Sequence, residues 1–235
     1  ANDAPTASNN TVTTNEDTTY TFTASDFGFS DVDGDTLSSV TVSALSGSDG
    51  TFLLNGVAIT GSTSVTKTQI DSGLLTFVPD SNENGSSYNT FTFTVNDGTT
   101  DSASSYTMTV NVTAVNDAPT ASNNTVTTNE DTDHTFAASE FGFTDVDGDS
   151  LDHVSIETLP SNGTLLLSGS AVSAGDQISA ANISNLVFRP AANANGASYD
   201  TFTFTVNDGT TDSASSYTMT VNVTAVNDAP TASNN

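Results

Sequence analysis

The stretch that decides the fold runs from residue 90 to residue 112 and reads TFTFTVNDGTTDSASSYTMTVNV. Apolar residues occupy every second position at Phe91, Phe93 and Val95, and again between residues 106 and 112, with Thr or Asn at the positions between them. An apolar period of two is typical of half-buried β-strands, and the Asn-Asp-Gly sequence between the two runs is typical of a hairpin turn. The stretch therefore predicts two antiparallel strands.

Further strands are predicted on the N-terminal side of this hairpin. Together they suggest about seven short strands in each stretch of roughly 110 residues, which is typical of an immunoglobulin-like sandwich. The chain has neither Cys nor Trp, so the Cys-Trp-Cys signature of true immunoglobulins is missing. The further strands are 11–14, 19–24, 37–45, 51–54, 57–60 and 74–78. The side chains expected to point inward are Tyr20, Phe22, Val40, Val42, Phe77, Phe91, Phe93, Met108 and Val110.

An internal repeat determines the number of domains. Residues 90–124 recur without a change as residues 201–235, and residues 9–18 recur as residues 123–132. Repeats of this length are domains with their own cores. We therefore predict two tandem sandwiches, residues 1–115 and 116–226, and the start of a third repeat at 227–235, as in a longer array cut at both ends.

The charge excludes several classes of partner. The chain has 28 acidic residues but only Lys67 and Arg189 as bases, which gives a formal net charge of −26. Such a field repels phosphate backbones and anionic lipid surfaces, so we expect no nucleic-acid partner. No apolar run approaches the roughly 20 residues of a membrane span, and the absence of Cys excludes disulfides and thiolate zinc sites. The excess of Asp over Glu favours cation coordination or a high-salt habitat.

Four motifs occur in the same order in both repeats. In the first repeat they are Asn15-Glu16-Asp17-Thr18, Asp31-Val32-Asp33-Gly34-Asp35, Val95-Asn96-Asp97-Gly98 and Val115-Asn116-Asp117-Ala118-Pro119. This set resembles the cadherin-like tandem repeats, the bacterial Ig-like extender modules, of giant bacterial surface adhesins, including the RTX adhesins exported by type I secretion. The resemblance implies an extracellular place on a bacterial cell surface, a sandwich fold, and Ca²⁺ bound between neighbouring repeats of the same chain.

Strand direction supports this implication independently, provided that the repeats are arranged end to end. The first strand then runs from the entry of its repeat to the exit, so the Glu16 turn lies at the exit, while the Asp31–Asp35 connection and the Asp97 turn lie at the entry. The junction of the two repeats would bring together Glu16, Asp17, Asn116, Asp117, Asp145, Asp147, Asp149 and Asp208. The entry end of the first repeat would contain Asp3, Asp31, Asp33, Asp35 and Asp97. The exit end of the second repeat would contain Glu130, Asp131 and Asp228.

These sixteen positions are the predicted metal ligands. Unit charges about 4 Å apart repel by roughly 1 kcal/mol even in water, so an uncompensated carboxylate cluster would force a junction apart. Oxygen ligands without Cys or His favour Ca²⁺, which takes 6 to 8 oxygens. Two simpler interpretations remain open: Asp and Asn can cap turns, and an acidic surface keeps a protein soluble. Asp80 and Glu83 are either additional ligands of the first repeat or part of a plain turn, because the second repeat has Ala191 and Ala194 there.

The pattern does not favour catalysis. His134 and His153 replace Tyr20 and Ser39 of the first repeat, so they share no site and are expected to be isolated surface residues. We predict a monomeric, non-enzymatic, calcium-rigidified extender that projects an adhesive tip. Two alternatives stay open: the repeats bind a sugar, ice or an identical repeat themselves, through outward threonines such as Thr92 and Thr107, or they are spacers of a secreted enzyme.

Overall fold

The computed structural model describes residues 2–46, 49–230 and 232, and it divides into two compact units between Val115 and Asn116. The predicted third repeat at 227–235 lies partly outside the described residues. Each unit is an all-β sandwich of a five-stranded and a four-stranded sheet, which confirms the expected fold class. No helix among the described residues is long and apolar enough to cross a membrane.

The first unit contains short strands separated by tight turns. Its five-stranded sheet has the order β1-β9-β8-β3-β6, and its four-stranded sheet has the order β2-β7-β4-β5. In chain order the elements are β1 (Asn10–Asn15), β2 (Tyr20–Thr21), a 3-10 helix (Ala24–Phe27), β3 (Ser39–Ser46), β4 (Thr51–Leu54), β5 (Val57–Ala58), β6 (Thr63–Thr66), α1 (Lys67–Asp71), β7 (Leu75–Val78), β8 (Gly85–Asn96) and β9 (Tyr106–Thr113).

The second unit repeats this topology, with the orders β10-β18-β17-β12-β15 and β11-β16-β13-β14. A 3-10 helix stands where the first unit has α1. The elements are β10 (Asn124–Asn129), β11 (His134–Thr135), a 3-10 helix (Ala138–Phe141), β12 (His153–Thr158), β13 (Gly163–Leu167), β14 (Ser170–Ala171), β15 (Gln177–Ser179), a 3-10 helix (Ala180–Asn185), β16 (Leu186–Pro190), β17 (Gly196–Asn207) and β18 (Tyr217–Thr224).

One strand pair in each unit differs from the antiparallel arrangement expected from the sequence. β1 pairs with β9 in parallel, from Asn10 opposite Met108 to Asn15 opposite Thr113, and β10 pairs with β18 in the same way. The first and last strands lie side by side and run in the same direction. The chain therefore enters a unit at one end of this pair and leaves it at the other end.

The core of the first unit is built on phenylalanine. Phe27 packs edge-on against Phe93 with ring centroids 5.0 Å apart, and Phe52 packs against Phe77 at 4.6 Å. Such aromatic pairs contribute roughly 0.5–1.5 kcal/mol beyond the burial of their area. The inward positions predicted from the alternation are buried, except that Tyr20 is only partly buried at the core edge.

The predicted strand at residues 19–24 is shorter than expected. Tyr20 and Thr21 pair with β7, and the Phe22 N–H donates to the Leu75 carbonyl oxygen at 3.0 Å. The chain then turns through the 3-10 helix Ala24–Phe27, which buries Phe27 completely. Asp26 fixes this turn, because its carboxylate accepts the backbone N–H of Thr23 at 2.7 Å. Thr23 itself stays extended, and the helical turn begins directly after it at Ala24.

Candidate metal centre

The loop Asp31–Asp35 gathers three carboxylates at the entry end of the first unit. Asp31 Oδ1 accepts the backbone N–H groups of Asp33 at 2.8 Å and of Asp35 at 3.2 Å, so the loop bends around this oxygen. Gly34 has a φ of 84°, a conformation that favours glycine. Asp31, Asp33 and Asp35 each offer an oxygen within 4.8 Å of the others. The bend of the loop brings these three carboxylates together.

The second oxygen of Asp31 is the most informative atom of this loop. Oδ2 is buried and has no hydrogen-bond partner, and Oδ2 of Asp145 is in the same state in the second unit. Asp145 Oδ1 accepts the backbone N–H of Asp149 at 3.0 Å, and Asp145, Asp147 and Asp149 also form a cluster. A buried, unpaired carboxylate oxygen is costly. Its position among further carboxylates fits a cation of hard-oxygen preference such as Ca²⁺.

The segment that enters each unit is attached to this loop. In the first unit the backbone N–H of Asp3 donates to Asp33 Oδ2 at 2.6 Å, and in the second unit that of Asp117 donates to Asp147 Oδ2 at 2.7 Å. The hairpin turn after the long strand β17 contacts the same segment, because Asn116 Nδ2 donates to Asp208 Oδ2 at 2.9 Å. Entry segment, loop and hairpin turn therefore meet at one end of the unit.

Asp97 and Asp208 occupy the same place in the two hairpin turns. The hydrogen bond from the Asn2 amide to Asp97 Oδ2, at 3.0 Å, lowers the pKa of Asp97, and the N–H groups of Thr100 and Thr99 lower it further. Burial raises the pKa of Asp208, but hydrogen bonds from Asn116 and from two threonine N–H groups outweigh burial and lower it. Both side chains are thus held in the charged form, which is the form that binds a metal.

The exit end of each unit contains a buried glutamate. Glu16 Oε1 accepts the backbone N–H of Val115, and its Oε2 accepts Asn84 Nδ2 at 3.3 Å. Only 3% of the surface of Glu16 is exposed. In the second unit Glu130 is buried in the same way and accepts the N–H of Val226 at 2.6 Å. These contacts hold the last residues of the unit.

Neighbouring side chains complete the exit end. Asp17 and Asp131 have positive φ values, and each accepts a backbone N–H from the loop before the long strand, from Asn82 at 3.2 Å and from Asn193 at 2.9 Å. Asp228 lies in the segment after β18, where Asn227 Nδ2 donates to its carbonyl oxygen at 3.0 Å. Sequence reasoning missed Asn84, whose only signal is its repetition as Asn195.

A comparison with protein-family models matches residues 2–113, and again residues 116–224, to the bacterial Ig domain. The chain belongs to the bacterial Ig domain family. Its two bacterial Ig domains coincide with the two repeats that the sequence contains. No curated protein matches the chain.

Solved structures are similar to the chain in fold. The EC1-2 fragment of human protocadherin-24 is 18% identical with a TM-score of 0.55, and the match covers 97% of this chain and 100% of that one. At this identity the likeness shows the fold alone. Drosophila N-cadherin EC1-4 has 16% identity and a TM-score of 0.46 over 96% of this chain and 50% of that chain. An endo-fucoidan hydrolase of glycoside hydrolase family 107 has 18% identity and a TM-score of 0.31, and the 95% of this chain that aligns spans 29% of that enzyme's length.

Among the described residues, the first bacterial Ig domain has a carboxylate cluster without an equivalent in the second domain. Asp49, Asp80 and Glu83 each offer an oxygen within 4.8 Å of the others beside the exit-end loop. The Tyr88 hydroxyl donates to Glu83 Oε2 at 2.9 Å, and burial together with this contact raises the pKa of Tyr88 to about 12. The equivalent loop in the second domain has alanine in place of Asp80 and Glu83, yet it still donates hydrogen bonds to Glu130 and Asp131. The conformation of the loop therefore does not depend on the Asp80 and Glu83 carboxylates.

The two histidines are not isolated surface residues, which corrects the expectation from the sequence. His134 packs edge-on against Phe136 with ring centroids 4.8 Å apart, and its Nε2 lies 3.2 Å from Glu140 Oε2. The side chain of His153 is only 14% exposed and contacts Asp152. Replacement of Tyr20 and Ser39 by histidine therefore adds partly buried imidazole rings next to carboxylates.

Proposed function

We propose that the two bacterial Ig domains are extender units of a large secreted bacterial adhesin, and that Ca²⁺ rigidifies the chain where one domain follows another. The observation that carries the proposal is the buried, unpaired Oδ2 of Asp31 and Asp145 within a cluster of three carboxylates. A proton would relieve one oxygen, but a cation also relieves the repulsion among the three side chains. Ca²⁺ fits because the cluster offers oxygen ligands without His or Cys.

The hydrogen bonds of Val115 and Asn116, at which one domain ends and the next begins, support a role of Ca²⁺ in stiffening the chain between the domains. Glu16 accepts a hydrogen bond from the backbone N–H of Val115. Asp208 accepts one from the side-chain amide of Asn116, which is the next residue of the chain. Ca²⁺ bound to the carboxylates on both sides of the Val115–Asn116 peptide bond would restrain the backbone φ and ψ angles next to it. The proposed ligands are the sixteen positions predicted from the sequence, with Asp31, Asp33, Asp35 and their equivalents in the second domain as the central set.

The proposed placement is extracellular, on a bacterial surface, with neighbouring repeats as the partners and a monomeric chain. A ligand-binding threonine face has less support, because two outward threonines, Thr92 and Thr203, are half-buried and bonded across the strands. Thr92 Oγ1 donates to the Ser43 carbonyl oxygen at 3.1 Å, and the Thr158 and Thr203 hydroxyls lie 2.8 Å apart. Cross-strand pairs of this kind stabilise a sheet without any ligand.

Small-angle X-ray scattering of the full chain in chelator and in millimolar Ca²⁺ tests the proposal. Ca²⁺ should narrow the distribution of maximum dimensions and raise the melting temperature with the logarithm of its free concentration. Asp145→Asn retains the oxygen that bonds Asp149 but removes one charge, and it should weaken calcium binding about tenfold or more.

The matched control is Glu157→Gln, which also removes one charge, keeps the acceptor for Thr205 Oγ1 and lies outside the motifs. It should leave calcium binding unchanged. Equal effects of the two variants would favour an acidic surface that only keeps the protein soluble, and scattering that ignores Ca²⁺ would refute the stiffening role.

A further inference from the structure

Asparagine is followed directly by glycine at four places in the chain, which are Asn55, Asn84, Asn162 and Asn195. Such an asparagine can lose its side-chain amide without an enzyme, because glycine has no Cβ to shield its backbone nitrogen from the asparagine Cγ. The reaction requires that this nitrogen and the asparagine side chain are both free to move. Hydrogen bonds to either group therefore slow it, and the four sites differ in these hydrogen bonds.

The Asn55 site is free in both respects. Asn55 and Gly56 form the two-residue turn between β4 and β5, with φ values of 51° and 77°, as in a type I′ hairpin turn. Within the part of the chain that the structure describes, no residue bonds the Asn55 side chain or accepts the Gly56 N–H. A Cβ added at Gly56 would meet nothing within 4 Å, and both residues are exposed. The attacking nitrogen and the side chain that it attacks are therefore unhindered.

The turn also lies at an edge of its sheet that opens easily. β5 is the edge strand of the four-stranded sheet, and it consists of two residues, Val57 and Ala58. Both are exposed, and 70% of the surface of Val57 faces solvent. Short edge elements with few buried apolar contacts open locally at a low cost in free energy. Local opening of this hairpin lets the Gly56 nitrogen approach Asn55 Cγ.

Asn162 is held by a buried carboxylate. The Gly163 N–H donates to Asp200 Oδ2 at 2.8 Å, so the nitrogen that would attack is engaged. The Asn162 side-chain amide donates to the Tyr199 carbonyl oxygen at 3.1 Å, and the Asn162 backbone N–H donates to Asp200 Oδ2 at 2.7 Å. The reaction at Asn162 therefore requires several hydrogen bonds to break together.

Asn84 and Asn195 occupy equivalent places at the exit ends of the two domains. Asn84 Nδ2 donates to Glu16 Oε2 at 3.3 Å, and Asn195 Nδ2 donates to Glu130 Oε2 at 2.9 Å. Both glutamates are buried. Attack at either site requires the amide to leave its glutamate, and the product would place a new carboxylate beside a buried one. The exit-end hydrogen bonds therefore protect both asparagines.

We propose that Asn55 is a site of spontaneous deamidation and that the fold protects the other three asparagines. The Gly56 nitrogen gives up its proton and bonds to Asn55 Cγ, and Nδ2 takes up a proton and leaves as ammonia. One water molecule then opens the resulting succinimide ring at either of its carbonyl carbons, which gives aspartate or isoaspartate. No oxidant or reductant takes part. Neither residue belongs to the predicted calcium ligands, so the modification goes beyond the proposed function.

The second domain contains the same turn without the reactive side chain. Ser168 and Gly169 form it there, with φ values of 49° and 83°. The Ser168 N–H donates to the Asn185 carbonyl oxygen at 3.0 Å, as the Asn55 N–H donates to that of Leu74 at 2.8 Å. Serine has no amide to lose. Asn55→Ser is therefore a variant that the turn accepts and that cannot react.

Incubation of the full chain in mildly alkaline buffer, followed by peptide mapping with mass spectrometry, tests the proposal. Mild alkali speeds the reaction because it helps to deprotonate the attacking nitrogen. The peptide with Asn55 should convert at least several-fold faster than the peptides with Asn84, Asn162 and Asn195, and it should yield both aspartate and isoaspartate. In concentrated urea the four peptides should convert at similar rates, because unfolding removes the hydrogen bonds that distinguish them.

Ion-exchange chromatography follows the same reaction in the intact chain, because each conversion adds one negative charge. The wild-type chain should accumulate a more acidic form under native conditions, and Asn55→Ser should accumulate several-fold less of it. Conversion of Asn55 in the folded chain that is no faster than that of the other three asparagines would overturn the proposal. An acidic form that Asn55→Ser leaves undiminished would overturn it as well.

Discussion

At the residue scale, fully and partly buried carboxylates of this protein differ in how many of their oxygens accept hydrogen bonds. Asp200 is 5% exposed, and its two oxygens accept backbone N–H groups from residues 161, 162 and 163 at 2.7–2.9 Å. Asp31 and Asp145 use one oxygen in this way and leave the other buried without a donor. Asp200 is thus explained by the fold alone. The unpaired oxygens of the other two side chains are the feature on which the proposed Ca²⁺ site rests.

A residue-scale prediction concerns Asp97. Asn2→Ala removes the hydrogen bond that lowers the pKa of Asp97 most, so in chelator this pKa should rise toward its ordinary value of 3.8. The folded state lowers the pKa of Asp97, so the ionised carboxylate stabilises the first domain at neutral pH. This contribution to the free energy of unfolding is lost as the pH falls through the lowered pKa. Carboxyl carbon signals in a pH titration measure the change. Asn116→Ala should instead raise the pKa of Asp208. An unchanged pKa of Asp97 in Asn2→Ala would contradict the role given to the Asn2 hydrogen bond.

At the element scale, close packing of the turn before β4 against β7 depends on a glycine. Gly50 has a φ of 73°, and a Cβ there would lie 2.4 Å from Phe77 Cζ and 2.9 Å from the Val78 carbonyl oxygen. Gly34 has a similar φ of 84° but open space around the same position. The two sites therefore separate the conformational requirement for glycine from the steric requirement.

Alanine substitutions at these two glycines should differ in cost. Gly34→Ala should destabilise the first domain by roughly 1–2 kcal/mol through the left-handed conformation alone. Gly50→Ala should cost about 1–3 kcal/mol more, because the added methyl overpacks the core beside Phe77. Urea unfolding in chelator gives both values. Equal losses would mean that Phe77 moves aside freely.

Local patterns predicted part of these elements and could not predict the rest. The alternation of Phe91, Phe93 and Val95 gives both the strand and its buried face, because side chains alternate along a strand whatever surrounds them. Burial of Glu16 depends on Asn84, which is 68 positions away, and no local pattern encodes that contact. The imidazole contacts escaped prediction for a similar reason, since His153 meets Asp212 only through the pairing of β12 with β17.

At the scale of the whole molecule, carboxylates are distributed unequally among the proposed sites. The predicted junction set contains Glu16 and Asp17 as well as the Asp145–Asp149 loop. In a sample limited to residues 1–235, the entry of the first domain and the exit of the second each contain one half of such a set. Calcium affinity rises with the number of charged ligands and with the rigidity of the site. The proposed function therefore implies sites of two strengths in one chain.

Calorimetric titration of the full chain should show one tight and one weaker class of calcium sites. The second domain alone, residues 116–226, should retain only the weaker class, because it lacks Glu16 and Asp17. A matched sample of the full chain with Glu16→Gln and Asp17→Asn should behave in the same way. Tight binding by the single domain would place complete sites within one repeat and remove the stiffening mechanism.

The parallel pairing of β1 with β9 determines how each domain responds to a pulling force. Because the first and last strands run in the same direction, tension applied at the two ends of a domain acts along the strands. The hydrogen bonds between Asn10–Asn15 and Met108–Thr113 are then loaded together in shear rather than broken one after another. We therefore expect each domain to resist unfolding when tension acts between its two ends.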